Sequence, residues 1–299
     1  MSFKQVIELA DLLDDGRVTG EDVVKYVTAE GNVKATCTTV TGAKGSTDFV
    51  KFLIPGKNGK TKGGTAPTLG IVGRLTSDGD GALAASAIAA KLARMTVRGD
   101  ELEGDVIVGT HICPDAPTLP HKPAPFMDSP VTMDVLNKEE IDPAMDAILS
   151  IDTTKGNQII CHNGIAISPT VLDGYILRVS EDLLYIMSVT TGKLPATFPI
   201  TQQDITPYGN GLYHMNSILQ PSVAAHVPVV GIAITTETVV PGCGTGATHL
   251  VDVDDAVRYS IEVAKAFTQN ECSFYDKKEF ELITKLYGSM THFQGSGQH

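Results

Sequence analysis

Acidic and histidine side chains recur just past the apolar runs of this 299-residue chain. "LGIVGRL" is followed by Asp78 and Asp80, and "GDVIVGT" by His111, Cys113 and Asp115. "DAILSI" is followed by Asp152, and "VPVVGIAITT" by Glu237, Cys243 and His249. Carboxylate and imidazole together suit a divalent ion such as zinc, manganese or cobalt. Two ions sharing a bridging carboxylate can activate water for hydrolysis. On this reading Asp78 and Asp152 hold the metal with His111 or His249. Asp115 or Glu237 is the general base, and Arg74 pairs with a substrate carboxylate. A second chemistry lies in "PGCGTGATH", where Cys243 sits in a glycine-rich turn six residues before His249. Backbone amides in such a loop can lower a thiol pKa or form an oxyanion hole, as a cysteine-dependent hydrolase needs.

Each residue also has a simpler reading. Asp78 can cap the helix that begins near Gly79. His111 can be a hydrogen-bonded core histidine, Asp152 a turn residue, Glu237 and His249 surface residues, and Cys243 a buried inert thiol. What joins them is convergence, since all fall at one predicted sheet edge. In open α/β sheets ligands bind beyond the carboxyl ends of the strands. Two carboxylates in one turn also exceed what a cap requires. The expectation is therefore that Asp78 faces inward to a cation and that Asp80 faces solvent or supports it from behind.

The elements that would position these residues follow from hydrophobic period. Four short apolar runs predict buried strands near 69–75, 105–111, 147–152 and 228–235. "NVKATCTTV" and "DFVKFLIPG" alternate and read as two further strands. Helices are expected over 3–29 (two, the second with Thr19 as cap and Asp22 completing a capping box), after Asp80, and within "SEDLLYIMSVTTG", "VDVDDAVRYSIEVAKAF" and "DKKEFELITKLYG". Apolar strands alternating with amphipathic helices predict an α/β fold with a three-layer, mostly parallel central sheet flanked by helices. No linker divides the chain, so residues 1–299 read as a single α/β domain with a helical segment at about 1–30. The Pro-rich stretch 114–147 is a long loop, and long ordered loops are often functional.

Composition narrows the class. A net charge of −12 argues against nucleic acid or an anionic membrane as partner. No apolar run approaches the roughly 20 residues of a membrane span. Five dispersed cysteines, with no CxxC pair and no signal-peptide core upstream, predict a reduced cytoplasmic protein.

The stretch "GRLTSDGDGALAA" resembles the segment of the zinc exopeptidase superfamily (deblocking aminopeptidases, deacylases and glutamate carboxypeptidases) that carries its metal-bridging aspartate. The match is at Gly73, Arg74, Asp78, Gly81, Leu83, Ala84 and Ala85. The order of parts continues. "GDVIVGTHICPD" is similar to the strand that precedes the superfamily's Glu-Glu pair. "AILSIDTTKGNQII" is similar to the strand whose aspartate is a terminal ligand. The segment from Val227 to Phe267 resembles the last one, in which a histidine ligand precedes a helix. The resemblance implies a zinc-exopeptidase-like fold, a zinc ion, a peptide or small-molecule amide substrate and a homo-oligomer. It also marks departures. The first metal-binding histidine has no counterpart, "HICPD" replaces the Glu-Glu pair, His249 lies close to "VDVDDA", and the inserted lid domain is missing. A non-catalytic binding or regulatory protein on a degenerate peptidase fold is therefore a third reading. The whole chain further resembles the uncharacterised family called domain of unknown function 1177.

Overall fold

In the computed structural model, residues 2–74, 79–120, 126–154, 159–200, 215–238 and 248–294 are described. Two helices open the chain, α1 (Phe3–Leu13) and α2 (Gly20–Glu30). The predicted capping box is present: the Thr19 side chain accepts from Asp22 N, and the Asp22 carboxylate accepts from Thr19 N at 3.0 Å. The strands are β1 (Lys34–Gly42), β2 (Gly45–Ile54), β3 (Leu69–Gly73), β4 (Val106–Ile112), the two-residue β5 (Thr118–Leu119) and β6 (Phe126–Met127), β7 (Ala147–Thr154), β8 (Gly164–Ile167), β9 (Val171–Leu172), β10 (Tyr175–Ile176) and β11 (Val229–Thr235). Between and after them run α3 (Asp80–Val97), α4 (Met133–Glu140), α5 (Glu181–Thr191), α6 (Leu250–Thr268) and α7 (Lys277–Tyr287).

The main sheet has the order β1-β2-β4-β3-β7-β11-β9-β10, with β8 also on β11. Its centre, β4-β3-β7-β11, is parallel, and these are the four strands that the apolar runs predict. The flanks are antiparallel, so the sheet is mixed rather than parallel throughout. That follows from chain length between strands: β1 and β2 are joined by a tight turn, which permits only antiparallel pairing.

Side chains alternate across the central strands, and the two faces differ. Ile71, Val108, Leu149 and Ile232 enter the main core with α1, α2, α3, α5 and α6. Val72, Ile107, Ile148 and Val229 enter a smaller core with Leu219 of a 3-10 turn, Ser217–Val223. α4 covers Phe49 on that second side through Leu136. The stretch 114–147, expected as a long loop, holds the β5–β6 pair and α4. It therefore supplies a structural element to the face on which the polar residues gather. Among the described residues no helix is long and apolar enough to cross a membrane.

Candidate functional site

Three of the singled-out residues stand at one level of three adjacent strands. The β3–β4 register pairs Val72 with Gly109, so two residues further Arg74 lies beside His111. The β3–β7 register pairs Gly73 with Ile151, and Arg74 N donates to Ile151 O at 2.8 Å, so Arg74 lies beside Asp152. The strand order puts Arg74 in the middle. With strands about 4.8 Å apart, the His111 and Asp152 backbones are separated by about 10 Å. All three side chains are buried and share the α4 side.

A fourth residue ties two of them together. Glu140, the last residue of α4, places Oε1 2.6 Å from His111 Nδ1 and Oε2 3.0 Å from Arg74 Nη1. The Glu140 side chain is fully buried. The carboxylate thus bridges a guanidinium and an imidazole. Glu140 engages His111 through Nδ1, so Nε2 is the ring nitrogen that this contact leaves open. Arg74 Nη2 also donates to Asn137 Oδ1 at 2.7 Å, and Asn137 Nδ2 donates to Gln220 Oε1 at 3.5 Å. α4 thus contributes two side chains three residues apart, on one helical face above the strand ends. Asp152 Oδ1 accepts from Thr153 N at 2.8 Å, which fixes that carboxylate on its strand.

The remaining candidates among the described residues are dispersed. Asp78 and Cys243 lie outside the described residues. Asp80 is buried in the first turn of α3, where its charge suits the helix dipole; the expected solvent-facing position is not the one it takes. Asp115 and Glu237 are exposed. His249 is exposed beside α6, 3.6 Å from Asp252 Oδ2, and α6 packs on the opposite face of the sheet from α4. A cleft of about 540 Å³ opens on that opposite face, between α1, the start of α3, Cys113 and Thr248.

The described donor set does not by itself fit a divalent ion. Among the described residues no three His, Cys, Asp or Glu side chains come together. The two best-placed ligands, His111 and Asp152, are divided by the permanent cation of Arg74. Three of the four described thiols are also disfavoured as nucleophiles. Burial pushes Cys113 up, Cys37 up to about 11 and Cys272 up to about 12. A raised pKa leaves less thiolate. Iodoacetamide labelling followed by mass spectrometry is therefore expected to modify the exposed Cys161 before Cys37, with Cys113 and Cys272 last. Equal rates for Cys161 and Cys272 would contradict the burial.

Sequence reasoning did not single out Glu140, Asn137 or Gln220. The signal available for Glu140 was weak: an acid closing the short helix "MDVLNKEE" inside a Pro-rich stretch.

A family model described as "Protein of unknown function (DUF1177)" matches residues 38–297. No curated protein matches the chain in sequence. Among solved structures, a tomato leucine aminopeptidase variant superposes with a TM-score of 0.52 at 11% identity, covering 87% of this chain and 61% of that one. The chain thus spans about three fifths of the tomato enzyme's length. LapA of Legionella pneumophila, an aminopeptidase, gives 0.51 at 10% identity over 90% of this chain and 72% of that one. A Macrostomum lignano glutaminyl cyclase gives 0.48 at 12% identity over 91% and 90%. At such identities the aminopeptidase likenesses establish the fold, a zinc-exopeptidase-like α/β architecture, as the sequence resemblance implied.

Proposed function

We propose that this chain, which belongs to the DUF1177 family of proteins of unknown function, is a hydrolase of peptide or other amide bonds. The observation that carries the reading is the buried His111–Glu140–Arg74 relay, level with Asp152 at the carboxyl edge of the parallel strands. Glu140 orients the imidazole through Nδ1, and Arg74 in turn holds Glu140 in place. His111 Nε2 takes a proton from an attacking water. The oxygen of that water bonds to the amide carbon, and the proton passes to the leaving nitrogen as the C–N bond breaks. Asp152 is the second acid of the centre, on the far side of Arg74. A zinc-dependent form of the reaction would have to draw on His111 and Asp152, which share a face but are divided by Arg74. It requires Asp78 as a further ligand and a shift of Arg74.

The test uses aminoacyl 4-nitroanilides, N-acetyl amino acids and dipeptides, with amine release as readout. His111→Gln is expected to lower the rate by about a hundredfold, at the lower end of what a positioned base contributes. Its circular dichroism should match the parent's. Activity that survives chelation supports the relay as written. Activity lost on chelation and restored by zinc moves the assignment to the metal form, which Asp78→Asn then tests. Failure to cleave any probe, or an unchanged rate for His111→Gln, overturns the hydrolase reading in favour of a binding protein on the same fold.

A further inference from the structure

On the side of the sheet away from His111, α1 packs against α3 and α6. The first turns of those two helices, the end of β4 and α1 together enclose the cleft of about 540 Å³. Sites that take small molecules commonly measure ~300–1,000 Å³. The described walls are mostly apolar. Leu13 and Val18 come from the N-terminal segment, Ala82 and Leu83 from α3, Ile112 from β4 and Leu250 from α6.

The charged side chains of the cleft have one sign. Asp11, Asp14 and Asp80 line it, and among the described residues no lysine, arginine or histidine does. Asp80 opens α3, an end at which the helix dipole favours a carboxylate. Asp11 and Asp14 stand at the opposite kind of end. Asp11 is in the last turn of α1 and Asp14 follows it, where unpaired backbone carbonyls leave a partial negative charge and a basic residue is the stabilising choice. α1 has no basic residue in its last turn. The nearest cation in sequence, Arg17, donates to both oxygens of Asp15, each at 3.0 Å. Neither Asp11 nor Asp14 makes an ion pair or a side-chain hydrogen bond among the described residues. Two carboxylates thus sit uncompensated beside an apolar wall, at the helix end that disfavours them.

The charge and the wall select the ligand together. Both carboxylates are exposed. Exposed carboxylates hold a small hydrated cation weakly, because water and salt screen the contact. The apolar walls add affinity only for a ligand with an apolar body to bury. An anion of the same shape would meet two like charges and the negative end of α1. We infer that this cleft binds a small amphipathic cation, a protonated amine on a compact aliphatic or aromatic body. The ammonium lies at Asp11 and Asp14, and the body lies against Leu13, Leu83 and Leu250. The inference does not depend on the hydrolase reading, whose residues lie on the other face of the sheet.

The test uses probes of one shape with no bond that a hydrolase of amides can cleave: 4-phenylbutylamine, 4-phenylbutan-1-ol and 4-phenylbutyrate. Each is titrated into the full chain by calorimetry at low salt. The amine is expected to bind at least about fivefold more tightly than the alcohol, as two partly screened ion contacts would give, and the butyrate most weakly. n-Butylamine keeps the charge and loses the ring, and should bind at least about tenfold more weakly than 4-phenylbutylamine. Asp11→Asn combined with Asp14→Asn keeps the shape and removes both charges. It should bring the amine to within about twofold of the alcohol and leave the alcohol's affinity unchanged. Its melting temperature should stay level or rise, since two adverse charges leave the end of α1. An amine no tighter than the alcohol overturns the inference, and so does n-butylamine binding as well as 4-phenylbutylamine. An amine preference that survives in the double variant also overturns it, by assigning the preference to the general acidity of a chain of net charge −12. Failure of every probe to bind does the same, and none of these results bears on amide hydrolysis at His111.

Discussion

Replacing Arg74 with alanine is expected to destabilise the fold by about 3–5 kcal/mol, the usual cost of removing one partner of a buried ion pair. Arg74 is 1% exposed, and the Glu140 side chain it faces is 0% exposed. Without the guanidinium, Glu140 remains as a buried charge that His111 alone must offset. Asn137 Oδ1 loses its donor at the same time. The loss should be measured by urea unfolding at neutral pH. A double variant, Arg74→Met with Glu140→Leu, removes both charges and keeps much of the volume. It should recover much of the stability, because a buried pair of this kind costs about as much to desolvate as it returns. A loss below about 1 kcal/mol in Arg74→Ala would mean that the relay is not ionic as described. The double variant also lacks the carboxylate that orients His111, so it should be folded and inactive, which separates the stabilising role of the network from its chemical one.

How far the sequence reveals this arrangement depends on the interaction concerned. The parallel strands are legible because each is a short apolar run covered on both faces, and local pattern suffices for that. The Thr19–Asp22 box is legible because both partners lie within one helical turn. The level shared by Arg74, His111 and Asp152 is half legible. Each stands at or near the end of its strand at the same parity, two residues after Val72, Gly109 and Ser150, which places all three on one face once the register is known. Register is a non-local property and no single run encodes it. Glu140 is not legible at all. Glutamate is almost never fully buried unless paired, and its partners are 29 residues upstream and 66 residues upstream, at His111 and Arg74. Asp115 and Glu237 show the converse. They follow strands closely, but they lie beyond the strand ends, where the chain has already turned to solvent.

Gly81→Ala is expected to cost about 3 kcal/mol, the upper part of the range for overpacking, and to lower the melting temperature by roughly 5–10 °C. The reason lies in how α3 leaves the sheet. A Cβ on Gly81 would stand 2.1 Å from Arg74 O and 2.7 Å from Ile151 O. Both neighbours are backbone oxygens of adjacent strands, so neither can rotate aside. Gly73 meets the same contact from below: its Cβ would lie 2.3 Å from Gly81 O and 2.5 Å from Ala85 Cβ. The small residues of "GRLTSDGDGALAA" therefore let a helix start against the parallel strands with almost no gap. Gly73, Gly81 and Ala85, three of the positions that resemble the zinc exopeptidases, are accounted for by this packing alone. The metal chemistry of that segment would rest on Asp78, which lies outside the described residues. Gly81→Ala should consequently shift α3 and, through the Arg74 carbonyl, the strand end that carries the guanidinium. A crystal structure or amide-exchange profile of the variant should show the change at 73–85 and at Glu140, with β1 and β2 unaffected. Wild-type stability in Gly81→Ala would show that α3 sits further from the strands than these contacts require, and the close packing of the Arg74 level would then have to be abandoned.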